Sequence, residues 1–101
     1  MAVVSMMRIP GDPAKLKAAA RDNLSGVTER LGQKHGLISS VIAKTDDGLL
    51  VINLWEHEEG RHAMAEEPEI QEAIRAAGFP PPHFDAYEVV ATIGVPTAAS
   101  V

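Results

Sequence analysis

The segment from Leu49 to Glu56, LLVINLWE, is the feature that most constrains the fold, because it is apolar on both faces of a predicted β-strand. Side chains alternate between the two faces of a strand. The two alternating sets are Leu50, Ile52 and Leu54 on one face, and Leu49, Val51, Asn53 and Trp55 on the other. A half-solvated antiparallel strand carries polar residues on one face. This strand therefore needs two covers, one from helices of its own chain and one from a second copy of the protein.

A β-hairpin contains this strand. Residues 37–45 are predicted to form its first strand, and Asp47-Gly48 is typical of the tight turn, because this pair accepts the positive φ angles of hairpins. Upstream, residues 2–9 are predicted as a strand. A single helix is predicted over 13–34, with Asp12 as its N-cap and Pro13 at its first position.

Downstream of the hairpin, a short helix is predicted around residues 58–66 and a second helical piece from Pro68 to Ala77. The last strand is predicted at 83–94. The order β-α-β-β-α-β predicts a ferredoxin-like α+β domain, in which helices cover one face of a four-stranded antiparallel sheet. We assign residues 1–95 to this single domain and 96–101 to a flexible tail.

The second face of such a sheet is open in a single subunit. Soluble monomers rarely expose more than a few hundred Å² of contiguous apolar surface. Two sheets packed face to face about a two-fold axis cover it, so we expect a homodimer through the sheet faces. The space between the sheets is then either packed solid or holds a small ligand. A packed interface with Asn53 facing elsewhere would argue against an enzyme, and an open apolar pocket with a few polar groups would favour one.

Composition excludes several function classes. The formal charge is −5, with 14 acidic and 9 basic residues, so we expect no nucleic-acid partner. The chain contains no cysteine, which excludes disulfides, thiolate metal sites and a cysteine nucleophile. The apolar start is too short to span a bilayer and lacks a basic leader, so we expect a cytoplasmic protein without a membrane partner.

The stretch Val51–Glu59, VINLWEHEE, runs from a strand ending in Trp-Glu directly into an acidic helix start. Together with the element order and the length, it resembles the dimeric α/β-barrel superfamily, and within it the antibiotic-biosynthesis-monooxygenase-like domains. This resemblance implies a homodimer and, for some members, oxygenation of quinol-like aromatics without a cofactor. Other members degrade haem or act as isomerases and lyases, so the fold alone does not choose the reaction.

The haem-degrading branch fits the sequence poorly. That branch uses an asparagine on the first strand, a tryptophan in the second helical region and a histidine further along. The corresponding positions here are Ser5 or Met6, Met64 and Ile74. The oxygenase branch often uses an asparagine, a tryptophan and a basic residue, and the resemblance implies Asn53, Trp55 and either Arg61 or His62 for these roles.

Asn53 and His62 are the candidate catalytic residues. Asn53 is predicted to orient a substrate carbonyl or a bound oxygen species, and the alternative is an amide satisfied by a neighbouring strand or by water. His62 is predicted to transfer a proton, with help from Arg61, because imidazole titrates near neutral pH. The alternative for His62 is a surface residue beside glutamates.

Trp55, Arg61, Tyr87 and His83 are the candidate ligand-binding residues. Trp55 is predicted to stack on a flat ligand, and the alternative is a core or dimer-interface residue. Tyr87 is predicted to donate a hydrogen bond into a pocket, and His83 to lie at its mouth. His57 and His62 are five residues apart, which does not place two metal ligands on one helical face, so no metal site is expected.

Two functions follow from these residues. The first is a cofactor-independent monooxygenase acting on a quinol-like or polycyclic aromatic. The second is a non-catalytic protein of the same fold that binds a small ligand or serves in an assembly. The pattern of residues leaves open whether the protein is an enzyme.

Overall fold

The computed structural model describes residues 2–80 and 83–93, and it contains the predicted α+β ferredoxin-like arrangement. The strands are β1 (Val3–Pro10), β2 (Leu37–Thr45), β3 (Gly48–Trp55) and β4 (His83–Glu88). The helices are α1 (Pro13–Asn23), α2 (Ser25–His35), α3 (Glu58–Ala65) and α4 (Pro68–Ala77). The fold class predicted from the order of elements is confirmed.

The four strands form one antiparallel sheet in the order β2-β3-β1-β4. Strand β3 is central, because it pairs with β2 on one side and with β1 on the other. It is therefore fully hydrogen-bonded along both edges, which suits the β-branched and other apolar residues of the segment. Its central position is the structural reason for its apolar character.

The helices pack on one face of the sheet through two separate apolar clusters. The first cluster brings Trp55 against helical residues, and it consists of Leu31, Trp55, Met64 and Ile70. The second lies at the other end of the sheet and consists of Ile9, Leu16 and Leu49. Each buried side chain of this size contributes about 1.5–3 kcal/mol to folding. The two clusters together fix which face of β3 the helices cover.

The single helix predicted over residues 13–34 is wrong, since the structure has two helices that meet at Leu24. The Asn23 Nδ2 atom donates to the Ala19 carbonyl at 2.9 Å, and the Ser25 hydroxyl donates to the Arg21 carbonyl at 2.8 Å. Such bonds to the carbonyl four residues earlier bend a helix. Two polar side chains, one on each side of Leu24, therefore interrupt an otherwise continuous apolar stripe.

Strand β4 is also shorter than predicted, since it ends at Glu88 and residues 89–93 are not part of the sheet. The Val89 N–H still donates to the Ala2 carbonyl at 2.9 Å. The register of β4 with β1 ends at the pair of Glu88 and Val3, where β1 begins. The remainder of the predicted strand at residue 94, the tail at 96–101 and two prolines of the preceding connector lie outside the described residues.

Glu67, at the N-terminus of α4, forms ion pairs with two residues at the C-terminus of α2. Its Oε2 atom lies 2.7 Å from His35 Nε2 and 3.0 Å from Lys34 Nζ. The hydrogen bond from His35, and then the one from Lys34, lower the pKa of Glu67 below its ordinary value of 4.5. The ionised carboxylate is therefore favoured in the folded protein.

Replacing Glu67 with glutamine is expected to flatten the acid limb of the stability curve. A carboxyl whose pKa is lowered on folding stabilises the protein above its unfolded pKa, and this stability is lost as the pH falls through the folded pKa. Melting temperatures measured from about pH 7 down to about pH 3 should fall less steeply for Glu67→Gln than for the wild type. Glu66→Gln is the control, because the structure records no ion pair at Glu66 among the described residues. Parallel curves for the wild type and Glu67→Gln would contradict the prediction.

Candidate ligand site between the sheet and the helices

A polar row crosses the middle of the helix-facing side of the sheet. The register pairs Asn53 with Ser40 on β2 and with Ser5 on β1, and it pairs Ser5 with Ala86 on β4. Paired residues share a face of the sheet. This row lies between the rows that carry the two apolar clusters, so the core is interrupted at its centre by groups able to form hydrogen bonds.

Trp55 forms one wall of this region. Its side chain is 4% exposed and packs in the first apolar cluster. The indole Nε1–H donates to the hydroxyl oxygen of Ser5 at 3.2 Å, and Ser5 is itself only 2% exposed. A buried indole N–H usually finds such a partner. The hydrogen bond therefore links β3 to β1 and fixes the indole relative to the polar row.

Asn53 is half-buried, and its side-chain amide has no hydrogen-bond partner among the described residues. Ser5 accepts the bond from Trp55, but no described residue accepts the Ser5 hydroxyl proton. The unpartnered Asn53 amide atoms are not fully buried, so they are open to water or a ligand, and the Ser5 hydroxyl still has its own proton to donate. Ser5 and Asn53 are therefore two adjacent side chains able to bind a polar group of a ligand.

Arg61 on α3 carries positive charge to the same side of the sheet. Its guanidinium carbon lies 4.8 Å from the centroid of the Phe84 ring, and Phe84 pairs with Met7 on the helix-facing side. The guanidinium also binds the Glu58 carboxylate, whereas its Nε atom is buried with no partner within the described parts of the chain. The hydrogen bond from Arg61, with a smaller contribution from His62, lowers the pKa of Glu58. Cation–π contact and ion pairing together hold Arg61 beside β4.

A cleft of about 350 Å³ opens beside this region, between β4 and the start of α3. Val3 and Ala86 line it from the sheet, and in the register they are direct neighbours of Trp55 and Ser5. The remaining lining residues are His57, Glu58, Glu59, Tyr87 and Glu88. The volume is at the lower end of the range for small-molecule sites, about 300–1,000 Å³. The cleft borders the polar row at Ala86, whereas Ser5, Asn53 and Trp55 are not among its lining residues.

Comparison with solved structures identifies the fold. A Streptomyces coelicolor monooxygenase in complex with nanaomycin D is 22% identical, with a TM-score of 0.66 over 93% of this chain and 91% of that chain. SnoaB, a cofactor-independent oxygenase from Streptomyces nogalater, is 12% identical, with a TM-score of 0.64 over 91% and 94%. Rv0793 from Mycobacterium tuberculosis is 13% identical, with a TM-score of 0.70 over 93% and 100%.

This chain has the fold of the antibiotic biosynthesis monooxygenases. A Chloroflexus aurantiacus protein with that provisional assignment is 17% identical, with a TM-score of 0.66 over 93% of this chain and 98% of that chain. No protein-family model and no curated protein matches the sequence. The resemblance inferred from the sequence is thus confirmed at the level of the fold, and at these identities the likeness concerns the fold alone.

The monooxygenase-like fold brings together some of the predicted site residues. Asn53 and Trp55 share the helix-facing side of β3, and Arg61 approaches that side from α3. Asn53 faces the helices and not the open face of the sheet, where a second copy would pack. Alternation along β3 could not choose its direction, because both faces of this strand are apolar.

The other predicted residues lie elsewhere. His62 is exposed on α3, where its Nε2 atom lies 3.0 Å from the Glu58 carboxylate. The register places the side chains of Tyr87 and His83 on the opposite face of the sheet, away from the helices. His83 Nε2 lies 3.4 Å from Asp85 Oδ2, and His83 borders a separate cleft of about 210 Å³. The structure therefore does not bring these three residues to Asn53.

Two residues of this region were not predicted for a role in it. The sequence suggests Ser5 only as a counterpart of a residue in haem-degrading relatives, and it predicts no role for Phe84, the ring beneath Arg61. The sequence pattern that could have indicated Ser5 is the alternation of β1. Val3, Met7 and Ile9 face inward, and Ser5 is the polar residue of the same alternating set. A serine at an inward position of a strand marks a buried polar group that needs a partner.

Within residues 2–80 and 83–93 there is no cluster of three or more histidine, aspartate and glutamate side chains that could hold a metal ion. In the same part of the chain, no helix has both the length and the hydropathy needed to cross a bilayer.

Proposed function

We propose that this protein binds a flat, oxygenated aromatic molecule between its sheet and its helices, and oxidises it with molecular oxygen without a cofactor. One observation carries the proposal. The sheltered indole of Trp55 lies beside Ser5 and Asn53, two side chains with unfilled hydrogen-bonding capacity. An apolar wall with a few convergent polar groups is the usual construction of a small-molecule site.

The fold neighbours support the aromatic ligand and the reaction class. One is a monooxygenase with nanaomycin D bound, and another is a cofactor-independent oxygenase. Both descriptions belong to those proteins, and their low identity to this chain leaves its reaction to be tested.

A balanced reaction for such a site is the conversion of anthrone and O₂ into anthraquinone and water. Solvent water takes one proton of the ring CH₂ group and leaves an enolate, which transfers electrons to O₂ and, when a proton returns, carries a hydroperoxide on that carbon. Loss of the second hydrogen of that carbon with cleavage of the O–O bond leaves the inner oxygen as the new carbonyl, and the outer oxygen departs as water. In the proposed site the Asn53 amide donates to the enolate oxygen, and this interaction strengthens as negative charge develops there.

Binding without catalysis is the second candidate, and the position of His62 favours it. The predicted proton acceptor is exposed and is held by Glu58, and it lies apart from the polar row. A general base must come within hydrogen-bond reach of the proton that it removes. Under this second proposal the site shelters or carries an aromatic compound and leaves it unchanged.

Replacing Asn53 with alanine tests both candidates. With anthrone as substrate, we expect oxygen uptake and anthraquinone formation by the wild type, and a rate about 10²–10³-fold lower for Asn53→Ala, the usual effect of removing one oxyanion donor. Oxygen uptake is followed with an electrode and the product by chromatography. Asn23→Ala is the matched control, since Asn23 is the other asparagine of the chain and bonds within α1.

The outcomes separate the two candidates. Thermal stabilisation of the protein by anthrone without oxygen uptake would support binding alone, because a ligand that binds the folded state raises the melting temperature. If anthrone neither stabilises the protein nor is oxidised by it, both candidates are refuted for this ligand class.

We also propose that two copies associate through the sheet face opposite the helices. That face carries exposed Met6 and Val41, at 37% and 55%, beside the half-buried Leu50, Ile52 and Leu54. A contiguous apolar surface of this kind usually marks an interaction site. A two-fold face-to-face contact would cover it with the same apolar residues of the second copy.

A further inference from the structure

We propose that Ser5 is a positioning residue of the ligand site, which holds the Trp55 indole in one orientation and donates its own hydroxyl proton to an oxygen of the ligand. This inference rests on the proposed ligand site between the sheet and the helices. It adds a requirement that the proposed function does not contain, namely that the ligand places a hydrogen-bond acceptor next to β1.

The direction of the Ser5 hydroxyl follows from its contact with Trp55. A serine hydroxyl has one proton and two acceptor lone pairs, whereas the indole nitrogen can only donate. At 3.2 Å the indole N–H therefore occupies a lone pair of Ser5 and leaves the serine proton to point elsewhere. No described residue accepts that proton, although Ser5 is 2% exposed and shielded from bulk water.

The neighbours of Ser5 in the row indicate where an acceptor can lie. Asn53 is its partner on β3, and its amide is also free of partners within the described ranges. Ala86 is its partner on β4, and this residue lines the 350 Å³ cleft with only a methyl group. The cleft is lined by Ala86 and not by Ser5 itself, so in the proposed complex a ligand oxygen passes Ala86 to reach the Ser5 hydroxyl, with Asn53 one strand further in.

This arrangement selects the chemical class of the group that is bound. Asn53 can donate or accept, because its amide carries both functions. Ser5 keeps its proton and one lone pair, since the indole N–H of Trp55 occupies the other lone pair. The matching ligand group is a carbonyl oxygen or an oxyanion on a planar ring, and a hydrocarbon of the same shape lacks it.

The first experiment tests the positioning role without a ligand. Trp55 is the single tryptophan, so the ¹⁵N-labelled protein has one indole N–H resonance. We expect this resonance to shift and its hydrogen exchange to accelerate in Ser5→Ala, and to remain near the wild-type values in Ser5→Thr, which keeps the hydroxyl. An unchanged indole resonance and exchange rate in Ser5→Ala would overturn the positioning role.

The second experiment tests proton donation with two probes of similar shape, 1,4-naphthoquinone and naphthalene, by equilibrium dialysis. We expect Ser5→Ala to weaken naphthoquinone binding about tenfold, the loss of roughly one hydrogen bond, and to leave naphthalene binding unchanged. Equal losses for both probes would mean that Ser5 only maintains the structure, and would overturn the proposal. Ser5→Cys, a similar-sized side chain with a weak donor, provides the same comparison if Ser5→Ala does not fold.

The two experiments also separate this inference from the proposed function. If the wild type binds neither probe, the proposed ligand site fails, and donation by Ser5 to a ligand fails with it. The indole resonance still decides whether Ser5 positions Trp55. If the wild type binds both probes equally well and Ser5→Ala changes neither, the ligand site stands and the role of Ser5 is refuted.

Discussion

Gly60→Ala is expected to destabilise the protein by at least about 3 kcal/mol, at the upper end of the cost of overpacking. A Cβ atom added at Gly60 would approach the backbone carbonyl oxygen of His35 to less than 3.0 Å. A backbone carbonyl at the end of α2 cannot rotate away as a side chain can, so α2 and α3 would have to separate. Trp55 packs beside this contact with residues of both helices, and the loss would extend into the first apolar cluster.

Gly26→Ala is the matched control in helix α2. An added Cβ at Gly26 meets no atom within 4 Å. Alanine is favoured over glycine inside a helix by about 1 kcal/mol, so this variant is expected to be as stable as the wild type or more stable. Urea denaturation of both variants gives the two free energies of unfolding. Equal stabilities for Gly60→Ala and Gly26→Ala would contradict the close α2–α3 packing.

Ile52→Lys is expected to convert the proposed dimer into a monomer. Ile52 lies in the middle of β3 on the side opposite the helices, where its register partners are Met6 and Val41. In a face-to-face dimer the two-fold axis would place two lysines in an apolar contact. Burying unpaired charge is strongly unfavourable, and we expect the dissociation constant to rise by at least about 10³-fold, equivalent to about 4 kcal/mol.

Sedimentation velocity at micromolar concentration measures this change directly. Ile74→Lys is the control, since Ile74 is a 42% exposed isoleucine on α4, away from the open sheet face. The wild type and Ile74→Lys should sediment as dimers, and Ile52→Lys as a monomer with an unchanged circular dichroism spectrum. A monomeric wild type would refute association through the sheet, while the ligand site inside the subunit would remain to be tested separately.

Local signals in the sequence were sufficient for most element boundaries. Asp12 caps α1 as predicted, with its carboxylate accepting the Lys15 N–H at 3.3 Å, because capping depends only on residues three positions apart. The hairpin of β2 and β3 is also present, but its turn lies at Asp46-Asp47 and not at the predicted Asp47-Gly48, because Gly48 already pairs with Thr45 and has no positive φ. The break at Leu24 also had a local cause, the side-chain bonds of Asn23 and Ser25. The prediction missed it because the apolar stripe around these two residues favoured one continuous helix.

The alternation of apolar residues in β3 predicted from the sequence alone that both faces of this strand would be covered, and the structure shows the helices covering one of them. The alternation also determined that Asn53 and Trp55 share a face. Which face meets the helices was decided only by the tertiary structure, because two apolar faces are equivalent to any argument from periodicity. Ser5 and Trp55 are 50 positions apart, and only the pairing of β1 with β3 brings them within hydrogen-bond distance. Contacts between distant residues depend on packing and register, and the candidate site consists mainly of such contacts.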